Sequence, residues 1–212
     1  NEMLRNSGKK EMFIVKLASL NSDVTLSEGT ATIHPDSIIS DIKKTDLVII
    51  PALGRDVVKA IEMNKELIPW IIEQYKNGAE IASLCIGAFL FASTGLLKGK
   101  QCSTHWLYAA QFRQMFPDVK LADDKIVTDQ NGLYSSGGAT SYWNLLLYLV
   151  EKYTDRETAI LISKFFLLDI GKQNQSSFII FTGQKDHGDE AVKNAQEYIE
   201  LNYKDKITVD EL

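Results

Sequence analysis

A cysteine at the end of an apolar strand is the residue of this chain best placed to do chemistry. Cys85 is the middle residue of Ser83–Gly87 (SLCIG), where an apolar run ends and a helix-compatible run, Ile86–Ser93, begins. A sharp strand-to-helix turn can project one side chain over a sheet edge, as in a nucleophile elbow. Small residues two before and two after leave room for the turn, and the following helix dipole favours a thiolate. The pattern predicts either a working Cys85 or a buried strand-end cysteine, since free cysteines are often buried.

A histidine near the same predicted sheet edge is the first candidate partner. His105 lies in Ser103–Trp106 (STHW) and would be a general base or a ligand contact. The alternative, which we favour, is a histidine hydrogen-bonded at a helix start. Cys102 and His105 are spaced for metal ligation, but two ligands without partners make no site, so we expect no metal and no cofactor. No acidic partner for His105 can be named from the spacing, so the sequence assembles no catalytic triad.

The elements around Cys85 alternate between short apolar strands and helices. The predicted strands are Met12–Ala18, Gly29–Ile33, Asp46–Ile50, the run Ala79–Leu84, Gln101–His105, Val119–Leu121, Ile126–Asp129 and Leu133–Ser136. The predicted helices are Asp56–Met63, Lys65–Asn77 (or a start nearer Leu67, because of Pro69), Ile86–Ser93, Trp106–Phe116, Ala139–Lys152 and Asp155–Leu168. The dipeptide Asn131-Gly132 predicts a two-residue hairpin turn. This alternation predicts an α/β fold, a parallel sheet covered by helices on both faces.

Three loops follow predicted strands at the same edge of this sheet: 51–54, 85–87 and 135–140. Ligands of such folds bind at the carboxyl ends of the strands, so we expect these loops to form one site. The N–H of Ile86 would be one donor to an oxyanion or a ligand. The candidate ligand-binding residues are Cys85, Ile86, Gly87, Ala52, Leu53, His105, Gly137 and Gly138.

The composition of the sequence changes after Ile170. Residues 171–188 are polar and linker-like around a brief apolar FIIF, and a new amphipathic helix is predicted from Asp189 to Tyr203. Thr208 with Glu211 reads as a capping box at the start of one more helix. We therefore predict an α/β domain over 1–170, a linker over 171–188 and the truncated start of a second, helical domain over 189–212.

Composition narrows the function classes. The chain has 212 residues and a formal net charge of −5, which argues against a broad nucleic-acid-binding face within this piece. Its apolar runs are too short to span a bilayer, and its first residues lack the apolar core of a signal peptide. Two cysteines make no disulfide framework, so we expect a cytoplasmic protein with no membrane partner.

Taken together, the predicted α/β domain and the helical segment that follows it resemble a group of bacterial AraC-type transcriptional regulators. The N-terminal domain of that group is similar to the DJ-1/PfpI branch of the class I glutamine amidotransferase fold, which is flavodoxin-like. The resemblance covers nearly all of 12–212. It is carried by SLCIGAFLFASTGLLKGKQCSTHW (Ser83–Trp106), FPDVKLADDKIVTDQNGLYSSGGATSYWNLLLYLVEKY (Phe116–Tyr153) and HGDEAVKNAQEYIELNYKDKITVDEL (His187–Leu212).

The resemblance implies a parallel-sheet sandwich that senses a small molecule, followed by the first helix of a helix-turn-helix domain. The effector would be an amino acid such as arginine, or a betaine-like or carnitine-like metabolite, bound near Cys85. The protein would be a homodimer that binds DNA through a C-terminal domain lying mostly beyond this chain. The alternative implied function is a Cys85-dependent amidase, protease or hydratase of the DJ-1/PfpI kind.

Two departures from the family pattern argue against catalysis. The family usually opens with a strand and a helix that precede the segment seen here, and in DJ-1-like enzymes this region supplies an acidic residue beside the cysteine. The loop after the strand DLVII typically reads Pro-Gly-Gly, where a backbone N–H serves an oxyanion. Here it reads Pro51-Ala52-Leu53, with a glycine only at Gly54. We therefore expect a sensor rather than an enzyme.

Overall fold

The computed structural model describes residues 1–26, 29–169, 171, 174–175, 189–204 and 206–209. Its α-helices are α1 (Glu2–Asn6), α2 (Val57–Met63), α3 (Leu67–Lys76), α4 (Ala88–Ser93), α5 (Ala109–Met115), α6 (Tyr142–Tyr153), α7 (Arg156–Phe165) and α8 (Glu190–Asn202). Its strands are β1 (Ala18–Ser19), β2 (Val24–Leu26), β3 (Ala31–Ile33), β4 (Ser37–Ile38), β5 (Leu47–Ile50), β6 (Glu80–Ser83), β7 (Gln101–Cys102), β8 (Lys120–Leu121), β9 (Val127–Asp129) and β10 (Leu133–Ser136). Short 3-10 turns cover Ile39–Asp41, Cys85–Gly87, Trp106–Tyr108 and Ala139–Ser141.

A four-stranded sheet with the order β5-β6-β10-β9 forms the centre of the α/β unit. β5, β6 and β10 are parallel, and β9 runs antiparallel to β10. The predicted hairpin between β9 and β10 is confirmed, because Asn131 and Gly132 take φ angles of 55° and 87°, as a two-residue turn of this kind requires. The carboxyl ends of β5, β6 and β10 therefore lie along one edge.

Helices cover both faces of this sheet, which confirms the three-layer α/β prediction. Alternate residues of a strand point to opposite faces, so neighbours on β6 enter different cores. Ile81 belongs to a large core with Val48 and with side chains of α2 to α5, such as Phe89. Ala82 belongs to a second core with side chains of α6, including Leu145. Burial of apolar side chains on both faces is the main stabilising contribution to such a sandwich.

The predicted strand Met12–Ala18 is wrong. Only Ala18 lies in a strand, the two-residue β1, which pairs with β4. Ile14 and Val15 are 90% and 85% exposed, and the described residues provide no neighbouring strand for them. An apolar run alone does not make a strand, because the backbone N–H and C=O groups of a strand need a partner.

The structure has a helix at each of these predicted positions, but several of the helices begin at a different residue. α3 begins at Leu67, the alternative that Pro69 suggested, because proline is tolerated only in the first turn. The helices predicted from Ile86, Trp106 and Ala139 each begin with a 3-10 turn before the α-helical part. Asp155 caps α7 as predicted, its carboxylate accepting the N–H of Thr158 at 2.9 Å.

The chain divides into two compact units, Asn1–Ile179 and Ile180–Leu212. The described part of the second unit is mainly α8, capped by Asp189, whose carboxylate accepts the N–H groups of Ala191 and Val192 at 3.1 and 3.2 Å. Glu211 of the predicted capping box and the FIIF segment fall outside the described residues. Among the helices that are described, none combines the length and apolarity of a membrane span.

Candidate functional site

Cys85 occupies a strained turn between β6 and α4. Its φ angle is +54°, in the left-handed region that costs a non-glycine residue about 1–2 kcal/mol. The strand immediately before it is fixed, since the Leu84 N–H donates to the carbonyl of Ile50 at 2.9 Å. The 3-10 turn then starts with the Gly87 N–H donating to the Leu84 carbonyl at 2.8 Å. The predicted elbow is present, and the strain at Cys85 is held by its surroundings.

Two buried hydroxyl groups hold the backbone of Cys85. Its N–H donates to Oγ of Ser136, at the end of β10, over 3.4 Å. Its carbonyl accepts a hydrogen bond from Oγ1 of Thr104 at 3.1 Å. Both hydroxyl residues are fully buried. The sequence prediction missed Thr104 and Ser136, because hydroxyl side chains in loops usually serve local turns.

Gly87 brings the loop after β5 against the elbow. A Cβ atom on this glycine would overlap the carbonyl oxygen of Pro51 and would lie 2.8 Å from the carbonyl oxygen of Ile50. Leu53, from the same loop, packs against the large core, whereas Ala52 is exposed. Of the three predicted loops, 51–54 therefore meets the elbow through Pro51 rather than through Ala52.

The thiol of Cys85 is half-buried, and that burial raises its pKa. The N–H of Ile86 hydrogen-bonds the sulfur and acts in the opposite direction, but burial outweighs it. The expectation that the helix dipole would favour a thiolate is therefore not met. Cys102 is fully buried, donates its S–H to the Ser103 carbonyl at 3.4 Å and has a pKa raised to about 12 by burial.

His105 caps the 3-10 turn at Trp106–Tyr108. Its Nδ1 accepts the N–H of Leu107 at 3.2 Å, which confirms the role at a helix start that the sequence favoured. Partial burial lowers the pKa of the imidazole, which favours the neutral ring. Because Nδ1 accepts a hydrogen bond, the neutral ring carries its proton on Nε2. No hydrogen bond joins the sulfur of Cys85 to this ring in the described part of the chain. The thiol therefore has no base in contact with it.

The loop after β10 is the third part of the site. The Gly137 N–H donates to the Ile126 carbonyl at 2.8 Å, and a Cβ atom on Gly138 would lie 3.9 Å from Cδ2 of His105. The Gly138 N–H donates to Oε1 of Gln175 at 2.8 Å. Gln175 is 3% exposed and was predicted as linker. Nothing in its polar surroundings in the sequence signalled a buried contact.

The structure thus brings most of the predicted residues together. Cys85, Ile86 and Gly87 form the turn, and His105, Gly137 and Gly138 approach it from β7 and β10. The described residues contain no group of three or more His, Cys, Asp or Glu side chains arranged to hold a metal ion. The backbone N–H groups of these loops already donate within the protein, so, of the described residues here, the uncharged Cys85 thiol and the Nε2–H of His105 are the groups available to a polar ligand.

Sequence comparison identifies the family. The sequence pattern of the DJ-1/PfpI family matches residues 2–152, which include the strands β5, β6 and β10 and the Cys85 elbow. The chain belongs to the DJ-1/PfpI family. The fold agrees with this assignment, because the solved structure of Drosophila melanogaster DJ-1beta superposes with a TM-score of 0.62. That likeness covers 79% of this chain and 88% of the Drosophila chain, at 24% sequence identity.

Relatives of this DJ-1/PfpI chain include both a regulator and an enzyme. The HTH-type transcriptional regulator GbdR of Pseudomonas aeruginosa is 26% identical over 160 residues, 76% of this chain and 42% of GbdR. The isonitrile hydratase of Pseudomonas putida is 28% identical over 141 residues, 66% of this chain and 58% of the hydratase. This chain therefore spans less than half the length of the regulator that it resembles.

Proposed function

We propose that this chain is the ligand-sensing and dimerising N-terminal part of a cytoplasmic transcriptional regulator of the AraC type. The observation that carries the proposal is the state of the elbow: Cys85 is built into a strained turn, yet burial raises the pKa of its thiol, and none of the described residues places a base within hydrogen-bonding distance of the sulfur. A site of this kind binds a small molecule without attacking it. The match to GbdR over 76% of this chain supports the same function.

The small-molecule effector binds where the three loops meet. Cys85, Gly87, His105 and Gly138 surround it. The Nε2–H of His105, for which the described residues provide no acceptor, suits a ligand carboxylate, which favours an amino acid or a betaine-like metabolite. Occupancy shifts the protein between two states that differ in their affinity for DNA.

DNA binding belongs to a helix-turn-helix domain that begins at 189–212. The capped and amphipathic helix α8 supports this proposal, since its N-terminus fits the start of an independent helical unit. The division into a sensor over 1–170, a linker over 171–188 and a DNA-binding start over 189–212 is part of the proposal. The described contacts of Gln175 place this one residue of the proposed linker on the α/β unit.

A protection experiment tests the sensor function directly. Cys85 is alkylated with iodoacetamide in the presence of a panel of amino acids and betaine-like compounds, and the rate is compared with the rate without them. The variant Gln114→Cys carries an exposed thiol on α5 and serves as the control. An effector slows alkylation at Cys85 and leaves position 114 unchanged. If no member of the panel protects Cys85 or stabilises the protein, the sensor proposal is wrong.

The second candidate function is a hydrolase or hydratase that uses Cys85. The likeness to isonitrile hydratase and the strained, partly exposed position of Cys85 favour it. It requires a thiolate, so it predicts turnover that Cys85→Ser abolishes. Absence of turnover of amides and isonitriles by the wild-type chain, together with protection by an effector, would leave the sensor as the function.

A further inference from the structure

The side chain of Gln175 is buried near the site, and both ends of its carboxamide are hydrogen-bonded. Its Nε2 donates to the carbonyls of Thr104 at 2.9 Å and Asp123 at 2.7 Å, and its Oε1 accepts the N–H of Gly138 at 2.8 Å. A carboxamide offers two N–H donors and one carbonyl acceptor, so the principal contacts use all of its polar groups. Such full satisfaction in a buried position makes this contact costly to break.

The backbone beside this side chain is held as well. The Gln175 N–H donates to the carbonyl of Asp124 at 2.7 Å, and Asn174 forms an antiparallel bridge with Lys125. The short segment Asn174–Gln175 therefore lies on the α/β unit through both its main chain and its side chain. It does so only a few residues before the second unit begins at Ile180.

Two glycines make the space that this carboxamide fills. A Cβ atom on Gly137 would lie 2.7 Å from Nε2 of Gln175, and one on Gly138 would lie 3.2 Å from its Oε1. Side chains larger than hydrogen would displace the glutamine from this position. The Gly-Gly pair is therefore shaped to admit Gln175, in addition to forming a turn.

The same contacts connect Gln175 to the Cys85 elbow. Thr104 gives its carbonyl to Gln175 and its hydroxyl to the Cys85 carbonyl. Gly138, on the other side, lies between Gln175 and the ring of His105. One side chain thus ties together the loops that carry His105 and Gly138, and reaches the elbow through one residue.

We propose that Gln175 is a positioning residue, a latch that couples the Cys85 site to the chain segment leading to the second unit. A ligand that shifts Thr104 or Gly138 changes the hold on Gln175. Release of Gln175 in turn loosens the loops around the ligand, because a coupling free energy between two sites acts in both directions. The proposal rests on the proposed sensor function and names the route by which occupancy leaves the site.

The first test uses Gln175→Glu, which keeps the shape of the side chain and replaces its donor by a carboxylate oxygen facing two carbonyls. We expect hydrogen exchange at the Gly138 amide to accelerate about tenfold or more, and iodoacetamide alkylation of Cys85 to become severalfold faster. The matched control is Gln114→Glu, which introduces the same charge on the exposed face of α5. If Gln175→Glu folds and changes neither rate, the latch is wrong.

The second test needs no variant and separates coupling from a purely structural role. Cys85 of the wild-type chain is carboxamidomethylated with iodoacetamide, so that the adduct fills the site, and exchange is measured at the amides of Gln175 and Gly138. We expect both amides to change at least threefold, an effect within the usual range of coupling energies. The Ile81 amide, bonded to the Gly132 carbonyl in the middle of the sheet, serves as the unchanged reference. Equal exchange before and after modification would overturn the latch, whatever Gln175→Glu does.

The outcome also distinguishes the latch from the sensor function on which it rests. Protection of Cys85 by a metabolite, with no change at Gln175 on modification, keeps the sensor and removes the latch. A responsive Gln175 amide in a protein that no metabolite protects keeps the mechanical link and removes the sensor.

Discussion

The two ends of the central sheet are built on opposite plans. At the carboxyl end, the elbow end, hydroxyl groups from two loops hold the backbone of Cys85, and its sulfur accepts only a backbone N–H from the described residues. At the amino end, the tyrosine end, the polar side chains of Glu80, Tyr134, Lys152 and Tyr153 bond to one another. The single strand β6 reaches both ends, with Glu80 as its first residue and Cys85 two residues after its last.

At the tyrosine end, the charged and hydrogen-bonding side chains pair with one another. Nζ of Lys152 lies 3.3 Å from Glu80 Oε1 and 4.7 Å from the centre of the Tyr134 ring. Tyr153 donates its O–H to Glu80, and Lys152 donates to the Tyr134 hydroxyl. Burial together with the neighbouring Glu80 carboxylate raises the pKa of both tyrosines, which keeps them neutral. The polar side chains described at this end therefore bond mainly to one another.

The polar groups of the two ends therefore act differently: at the tyrosine end they bond to one another, and at the elbow end they hold a strained turn. Strain at Cys85 persists because Ser136, Thr104 and the backbone near Gly87 enforce it, which is the usual condition for stored strain at functional sites. The paired groups at the tyrosine end stabilise the fold through their hydrogen bonds with one another. Substitutions at the two ends should therefore differ in their effects on stability, on pH dependence and on thiol reactivity.

The largest expected effect comes from closing the space at the elbow. Gly87→Ala forces the new Cβ against the carbonyls of Ile50 and Pro51, and backbone atoms cannot move aside cheaply. We expect a loss of about 2–3 kcal/mol in the free energy of unfolding, the upper part of the range for overpacking. Gly54→Ala, in the same loop region with open space around the glycine, is the control, and denaturant titration is the measurement. Equal losses in both variants would show that the close approach of Gly87 to the carbonyls of Ile50 and Pro51 does not matter for stability.

At the tyrosine end, Glu80→Gln should cost about 1–2 kcal/mol at neutral pH, since it takes a charged acceptor from Lys152 and Tyr153. Burial raises the pKa of Glu80, but hydrogen bonds from Tyr153 and Tyr134 and the charge of Lys152 outweigh it, so the pKa is lowered overall. A lowered pKa stabilises the fold above the ordinary value of 4.5, and this contribution is lost as the pH falls through the folded value.

The difference in unfolding free energy between wild type and Glu80→Gln should therefore shrink below about pH 4.5. Urea titrations at a series of pH values measure it. Glu73→Gln, an exposed position on α3, should stay within about 0.5 kcal/mol of wild type throughout. A difference for Glu80→Gln that is constant with pH would show that the carboxylate network contributes nothing through its charge.

A glycine substitution at Cys85 should have a smaller effect on stability, and it measures the strain at this residue. Cys85→Gly should leave the free energy of unfolding unchanged or raise it by up to about 1 kcal/mol, because glycine adopts a positive φ without cost. The gain is partly offset by lost side-chain contacts with the large core. Ala92→Gly, at a helical position of α4, should instead lose about 1 kcal/mol or more. If both glycine variants lose equally, the turn at Cys85 is not strained.

The elbow was predictable from sequence because local patterns determine it. An apolar strand, a cysteine flanked by small residues and a helix-compatible run are all contiguous at 79–93. The hairpin at Asn131-Gly132 and the cap at Asp155 are equally local, and they were predicted correctly. The pKa of Cys85 was not, since its value depends on how deeply tertiary packing buries the sulfur.

What the sequence could not supply were contacts between distant segments. Thr104 and Gln175 meet across 71 positions, and no periodicity marks either one. The segment Met12–Leu17 shows the converse failure: it is rich in apolar residues, but the described residues provide no neighbouring strand, so Ile14 and Val15 stay exposed outside any strand. Strand formation and buried polar contacts both depend on partners that sequence patterns do not name.

The pH dependence of Cys85 alkylation is the most direct test of whether the Cys85 thiol is protonated at neutral pH. Iodoacetamide rates are measured from pH 6 to 10, roughly the range in which ordinary thiols ionise, with a free cysteine peptide as reference and the buried Cys102 as an internal silent site. The account predicts a Cys85 rate below that of the peptide at neutral pH, still rising beyond pH 9.0, because the pKa lies above that ordinary value. A rate that reaches its plateau at or below neutral pH would reveal a stable thiolate. That result would contradict the sensor and favour the enzyme.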